Sequence, residues 1–334
     1  MPTLLDVARL AGVGVMSVSR VVNGTRRVSP EVERKVRAAL EKINYQPNEA
    51  ARVLKGTRSS VLGLIVPDIA HPFFAACCSE IQQTAWENGY MTLIAASGHV
   101  EDRERHEVEM MLQRNISGLI VVPTGHQNDH FAAAVRQGVP IVSVDRPLDN
   151  VRSDCLIVNN LVASCEATKH LLQHGHERII CLADDERTHT KIERVNGYTL
   201  AMREANVAPR VCLIGPMTGS VADQLDLALA GPLRATAILA TSDILGLAVL
   251  RYLQAHQLRM PTDAALISFD DFSGAALVTP PVTVVQQPVE ELARRAATML
   301  LSRVRDGDDS EVVRLELPTR LILRGSCGCK KSKR

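Results

Sequence analysis

From Val61 to Phe269 the chain alternates short, wholly apolar runs with longer amphipathic stretches, and it does so in two successive series. The first runs Val61 to Val66, then 73–88; Thr92 to Ala95, then 101–115; Gly118 to Val122, then 128–138; and Pro140 to Val144. The second runs Leu156 to Val158, 161–174, Arg178 to Leu182, 191–206, Val211 to Leu213, 220–229, Ala235 to Ala240, 244–256 and Ala265 to Phe269. A strand that is apolar at every position must be covered on both faces, and strands separated by helices pair in parallel. The pattern therefore predicts two doubly wound parallel-sheet lobes. In such sheets ligands bind beyond the carboxyl ends of the strands.

Residues 1–58 follow another rule, that of short helices. Thr3 and Asp6 have the spacing of a capping box, and Leu5, Ala8 and Leu10 with Val7 and Ala11 give a helical stripe. Gly12 to Gly14 breaks it. A second helix, 15–22, turns Val18, Val21 and Val22 one way and Met16, Ser19, Arg20 and Asn23 the other, before Asn23 and Gly24 end it. Two helices across a glycine turn form a helix-turn-helix candidate. Ser29 as N-cap and Pro30 as first residue open a third helix, packed through Val32, Val36, Ala39, Leu40 and Ile43. After Pro47, Asn48 can cap a short stretch at 49–55 before the linker Gly56 to Ser60. A helix that short holds only when something packs on it.

Charge separates the same two regions. Residues 1–58 hold eleven Lys/Arg against five Asp/Glu, a net of +6, which leaves −5 for the remainder of a chain whose total is +1. A basic head on a mildly acidic body is the footprint of a protein that meets phosphate with its head alone.

Other classes are excluded or disfavoured. At 334 residues and 46% apolar content the chain can bury a sizeable core, yet no run reaches the roughly 18–20 apolar residues of a membrane span, and no signal-peptide layout opens it. Eight scattered cysteines read as reduced, buried thiols. The expectation is a cytoplasmic protein. Gly12, Gly14 and Ser17 make an incomplete dinucleotide fingerprint that follows a helix, and there is neither a nucleophile elbow nor a Walker loop. No catalysis and no cofactor are expected. His170 and His174 stand at i, i+4 with His176 beyond, but sequence places no further ligand beside them. Cys327 and Cys329 beside the basic run 330–334 do not complete a zinc site by themselves and read as a frayed terminus.

Specific motifs connect these features. Leu4 to Val13, Ser17 to Gly24, Val28 to Pro30, Tyr45 to Asn48 and Ala51 to Leu54 are closely similar to the head of the LacI family. Val66-Pro67-Asp68, His71 to Phe74, Gly118 to Ile120, Val144 to Pro147, Gly175-His176, Arg194 to Tyr198, Ser242-Asp243, Ser268 to Asp271, Thr279 to Pro281, Gln287-Pro288 and Pro318-Thr319 follow in that family's order, so the resemblance spans about 3–324. It implies a homodimeric regulator that reads pseudo-palindromic double-stranded operator DNA, with a core similar to periplasmic sugar-binding proteins. It also implies boundaries: a head at 1–46, a hinge helix and linker at 47–60, and a two-lobed sensor at 61–326. The first lobe takes about 61–158 and 289–317, the second about 159–288 and 318–326, and 327–334 is a basic tail.

The resemblance also assigns residues. For DNA it points to Gly14, Val15, Met16, Ser17, Ser19, Arg20 and Asn23 in the head, and to Arg52, Leu54 and Lys55 in the hinge, Leu54 being the wedge into the minor groove. Chemistry agrees for Arg20, which can reach guanine bidentately, and for Ser17, Ser19 and Asn23, which can donate to phosphates. Val15 and Met16 can read only thymine methyls or exclude wrong bases. Gly14 stands where the family commonly has a capping Ser or Thr. For the effector the assigned residues are Phe73, Phe74, Asp145, Arg146, Thr188, Thr190, Arg194, Met217, Asp243 and Asp270. Met217 replaces a common aromatic, and Val158-Asn159-Asn160 replaces the usual Val-Asp-Asn. Carboxylates can accept from sugar hydroxyls, while the cations Arg187, Lys191 and Arg194 favour an anionic sugar acid or phosphorylated sugar. The rival is a periplasmic-type sugar-binding component without DNA binding, which leaves the +6 head unexplained.

Overall fold

The computed structural model describes residues 2–23, 28–45, 59–125, 127–184, 188–215, 218–307 and 310–329. It divides into two compact units, Met1–Ser59 and Ser60–Arg334. The hinge residues Arg52, Leu54 and Lys55, together with Arg187 and Met217, lie outside the described residues.

In the first unit α1 (Leu4–Ala11), α2 (Val15–Asn23) and α3 (Pro30–Lys42) enclose Val7, Ala8, Val18, Val36 and Ala39. The capping box is formed: Thr3 Oγ1 accepts from the Asp6 N–H at 3.3 Å and Asp6 Oδ2 from the Thr3 N–H at 2.8 Å. Gly12, at φ 64°, closes α1 in the left-handed conformation that glycine adopts without steric cost. Ser29 Oγ accepts from the Val32 N–H, and Pro30 is the first helical residue of α3. One sequence expectation changes. Leu5 and Leu10 are 48% and 42% exposed, because the packing face of α1 is the i, i+3, i+4, i+7 set Leu4, Val7, Ala8 and Ala11.

The second unit contains two six-stranded sheets. The first, in spatial order β11-β5-β4-β3-β1-β2, comprises β1 (Val61–Val66), β2 (Met91–Ala96), β3 (Gly118–Val121), β4 (Ile141–Val144), β5 (Asp154–Val158) and β11 (Arg314–Leu317). One face is covered by α4 (Pro72–Glu87) and α11 (Val289–Asp306), through Phe74, Ile81, Leu292 and Leu300. The other is covered by α5 (Glu101–Gln113) and a 3-10 turn leading into α6 (Ala132–Arg136), through Val108, Met111 and Phe131.

The second sheet repeats the arrangement as β12-β10-β9-β8-β6-β7, from β6 (Ile179–Asp184), β7 (Val211–Ile214), β8 (Ala237–Ala240), β9 (Ala265–Phe269), β10 (Thr283–Gln286) and β12 (Arg320–Ile322). Helices α7 (Asn160–Gln173) and α8 (His189–Glu204) pack on one face, and α9 (Val221–Leu225) and α10 (Asp243–Ala255) on the other. At Gly197 α8 approaches α7 so closely that a Cβ would collide with the Leu161 carbonyl oxygen. The alternating pattern thus gives two doubly wound lobes, with one departure from purely parallel pairing. β12 runs antiparallel to β10, because the chain leaves the second sheet at the end of β10 and re-enters it at the same edge, Arg320 pairing with Gln286.

The chain passes between the sheets at 158–160, 286–289 and 317–320. Asn159 Oδ1 accepts from the Thr319 N–H at 2.9 Å, tying the first and third crossings together. Among the described residues no helix is long and apolar enough to cross a membrane. The frayed terminus expected at Cys327 is corrected. Cys327 is fully buried, and Ser326 Oγ bridges the Thr283 N–H and the Leu266 carbonyl, so 326–327 is packed into the second lobe.

Candidate functional site

Equivalent strands of the two sheets end in the same unusual way. Asp145 follows β4 at φ 67° and Asp270 follows β9 at φ 66°. Each donates its N–H at 2.9 Å to the neighbouring strand, to Leu156 O and Val285 O respectively. A left-handed conformation at a residue other than glycine costs energy and concentrates where a side chain must be aimed. Here it places one carboxylate from each lobe at the carboxyl edge of its sheet.

Arg194 organises the second-lobe side. Only 5% exposed, it donates from Nε to Asn160 Oδ1 at 2.7 Å and from Nη1 to the Thr241 carbonyl at 2.8 Å. Its guanidinium lies 4.2 Å above the Phe269 ring and 3.9 Å from Asp270 Oδ2. Gln287 Nε2 donates to Asp270 Oδ1 at 2.6 Å. Burial pushes the Asp270 carboxyl up, against the opposing pull of Arg194 and Gln287. Among the described residues Thr241 Oγ1 and Gln287 Oε1 are buried without a hydrogen-bond partner, which offers two polar atoms beside this cluster for a ligand to satisfy.

Across the lobes, His71 meets Asp243. In its neutral form His71 caps α4, its Nδ1 accepting from the Phe73 N–H at 3.3 Å and its proton on Nε2, 3.3 Å from Asp243 Oδ1; the protonated ring gives up the cap and keeps the Asp243 contact. Ser242 caps α10 and thereby fixes Asp243 in its first turn. The hydrogen bond to Asp243 raises the His71 pKa above its ordinary 6.5. Burial pushes Asp243 up, but the hydrogen bond and charge of His71 together with backbone N–H donors, that of Ile244 among them, outweigh it and hold the carboxyl below 3.8. The His71 contribution is complete below pH 6.5 and lost as pH rises through its raised folded value; that of Asp243 is present above 3.8 and lost only in stronger acid. Asp243→Asn should therefore lower the melting temperature more at about pH 5 than at about pH 8. An offset that does not vary with pH would contradict a charged His71–Asp243 pair.

The remaining expected residues fall into smaller groups. Arg146 bonds Asp145 Oδ2 at 3.2 Å and the Pro123 carbonyl at 2.9 Å. With Thr188 and His189 it lines a cavity of about 100 Å³, and the Thr188 and Thr190 hydroxyls are 3.3 Å apart. Phe73, Asp243 and Asp270 line a wider cavity of about 760 Å³ together with Gln287 and Pro318. Phe74 packs into the first-lobe core and against His71, with ring centroids 5.1 Å apart. Lys191 pairs with Asp184 at 3.0 Å. Sequence reasoning passed over His71, Asn160, Thr241, Phe269 and Gln287 as site residues. The usable signal was position, since Asn160 and Gln287 sit at crossings between lobes.

In the head, Val15 and Met16 are 40% and 69% exposed at the start of α2, whereas Val18 is buried. The Gly14 carbonyl accepts from the Ser17 N–H at 2.8 Å and from the Val18 N–H at 3.3 Å. Ser17, Ser19 and Arg20 are half-buried along α2, and the Asn23 side chain lies outside the described atoms. Arg20→Ala should cost about 1–3 kcal/mol on the best operator and relax preference at one base pair per half-site. An equal loss on every duplex would make Arg20 a phosphate ligand instead.

Comparison with known proteins decides the family. Residues 3–48 match the family of bacterial regulatory proteins, lacI family, and residues 168–327 match the periplasmic binding protein-like domain. The HTH-type transcriptional repressor PurR of Aliivibrio fischeri (strain MJ11) is 30% identical over 333 residues, covering 98% of each chain. This chain belongs to the LacI family. The ribose operon repressor of Escherichia coli (strain K12) is 32% identical over 332 residues, 98% of this chain and 100% of that one. Among solved structures, the Lac repressor dimer bound to operator and the anti-inducer ONPF superposes with a TM-score of 0.83 at 25% identity, covering 98% and 99% of the two chains. A CelR–cellobiose complex matches at 0.70 and 29% identity, covering 98% of this chain and 100% of that chain. As a LacI-family member the protein is a DNA-binding transcriptional regulator with a helix-turn-helix head and an effector-binding core. Its relatives are transcriptional repressors, not enzymes.

Proposed function

We propose that this regulator represses transcription as a homodimer on a pseudo-palindromic operator, and that a neutral polyhydroxylated metabolite of pentose or hexose size binds between its lobes. The head at 1–46 supplies Val15, Met16, Ser17, Ser19, Arg20 and Asn23 to the major groove and its phosphates. The hinge at 47–60 supplies Arg52, Lys55 and the Leu54 wedge. The effector favours one lobe arrangement, and that arrangement sets whether two hinge helices pair, so binding acts by shifting a population.

The observation that carries the effector reading is the set of side chains at the strand ends. Asp145, Asp243 and Asp270 face Arg146, Arg194 and His71, a nearly balanced set of acceptors and donors. Such a set suits hydroxyl groups, which both donate and accept. The case for an anionic effector is weaker than the sequence alone implies, since Lys191 is engaged by Asp184. Relatives named for ribose and cellobiose support a sugar. Thermal-shift measurements on the full chain with matched pairs, ribose with ribose 5-phosphate and glucose with gluconate, test this. The neutral member of one pair should stabilise the protein, by about 2.7 kcal/mol at 100 times its Kd. Stabilisation by the charged members alone would overturn it.

A further inference from the structure

We propose that His170, His174, Cys327 and Cys329 form a zinc site that fastens the C-terminal segment to α7. The sequence holds the four ligands in two pieces 157 residues apart, and folding unites them. His170 Nε2 lies 3.3 Å from Cys327 Sγ and 3.3 Å from Cys329 Sγ, and His174 Nε2 lies 3.4 Å from Cys329 Sγ. The His170, His174 and Cys329 ligand atoms all fall within 4.8 Å of one another. In a tetrahedral zinc centre, with Zn–N of about 2.0–2.1 Å and Zn–S of about 2.3 Å, neighbouring nitrogen and sulfur ligands stand about 3.5 Å apart. The three nitrogen–sulfur separations, 3.3, 3.3 and 3.4 Å, are close to the nitrogen–sulfur edges of that tetrahedron.

The convergence does not depend on a metal. His170 and His174 share one face of α7 by their i, i+4 spacing, with ring centroids 4.4 Å apart. The C-terminal segment is held by its own backbone: the Gly325 and Ser326 N–H groups donate to the Pro281 carbonyl, and the Leu266 N–H donates to the Ser326 carbonyl. Gly328, at φ 91°, turns the chain between the two cysteines. Supporting contacts also prepare the ligand atoms. His174 Nδ1 donates to the His170 carbonyl at 2.9 Å, which leaves its Nε2 lone pair for the metal. The Thr283 hydroxyl donates to Cys327 Sγ at 3.0 Å, favouring a thiolate there. Two imidazole nitrogens and two sulfurs are the donor set of structural zinc, and soft thiolates disfavour magnesium and calcium. Cys327 is fully buried while His174 is exposed, so one side of the site opens to solvent for metal entry.

Simple thiol–imidazole hydrogen bonding is the competing account, and it predicts no metal uptake. The full chain, reduced and stripped with chelator, is titrated with cobalt(II) and then zinc. One cobalt per chain should bind, with the intense visible bands of tetrahedral cobalt and a thiolate charge-transfer band, and zinc should bleach both. His174→Gln and Cys329→Ser should each lose the bands while retaining the far-ultraviolet circular dichroism of the wild type. Cys327→Ser should keep the cobalt but reduce the charge-transfer intensity to about half, one of two sulfur ligands being lost. Absence of the bands, bands that survive Cys329→Ser, or a Cys327–Cys329 disulfide formed under reductant in place of metal uptake would each overturn the proposal.

Discussion

Arg194→Ala is expected to weaken effector binding by roughly 10- to 150-fold. The guanidinium is buried and already positioned by Asn160, the Thr241 carbonyl and the Phe269 ring, so in the proposed site it would offer a ligand oxygen a donor that needs no further ordering. Losing a hydrogen bond from a charged donor to a neutral hydroxyl costs about 1.5–3 kcal/mol, or roughly 10- to 150-fold in affinity. The same change strips Asp270 of its neighbouring cation and leaves the Asn160 amide oxygen without its donor, so some stability is lost as well. Arg194→Lys separates the two effects, because it retains a positive charge but cannot serve Asn160 and Thr241 with a planar fork. Calorimetric titration of the folded lysine variant should still show a loss of at least about tenfold. Unchanged affinity in that variant would remove Arg194 from the site.

Removing residues 1–58 is expected to eliminate operator binding entirely while leaving effector binding intact. That segment carries the net +6, and the remainder is net −5, so the fragment beginning at Ser59 repels the phosphate backbone that the full chain attracts. The division into units at Ser59 and Ser60 places this cut outside the packed core of either. For the full chain, log K should fall with log salt by about 0.9 for each phosphate neutralised. Filter binding over a salt series compares the two. Retention of operator affinity by the fragment would contradict the assignment of DNA binding to the head.

Sequence periodicity revealed the fold with little loss, because buried parallel strands and their covering helices impose the two patterns most easily read. Where a helix face had to be chosen from two similar stripes, as for Leu5 and Leu10 in α1, only packing against α2 and α3 decided it. The candidate site was legible one lobe at a time. Asp145, Arg194, Asp243 and Asp270 could be assigned by their places at strand ends and in family motifs. The His71–Asp243 contact could not, since it joins residues 172 positions apart that meet only when the two lobes come together. Asn160 and Gln287 were hidden for a related reason: each acts through another residue, one holding Arg194 and the other Asp270. The His170, His174 and Cys329 cluster shows the same limit most clearly, because two of its members belong to α7 and its C-cap while the third lies in a terminal segment that composition alone marks as solvent-exposed.

Coupling between the cleft and the head is the centre of this account, and fluorescence anisotropy on the full chain measures it directly. A duplex enriched from genomic DNA is titrated with and without a saturating concentration of the sugar that stabilises the protein most. The sugar should change operator affinity by about 5–150-fold, the range of ordinary allosteric coupling, and Arg194→Lys should leave sugar-free affinity in place while raising the sugar concentration needed for that change by at least about tenfold. Operator affinity that is identical with and without a demonstrably bound sugar would contradict the account.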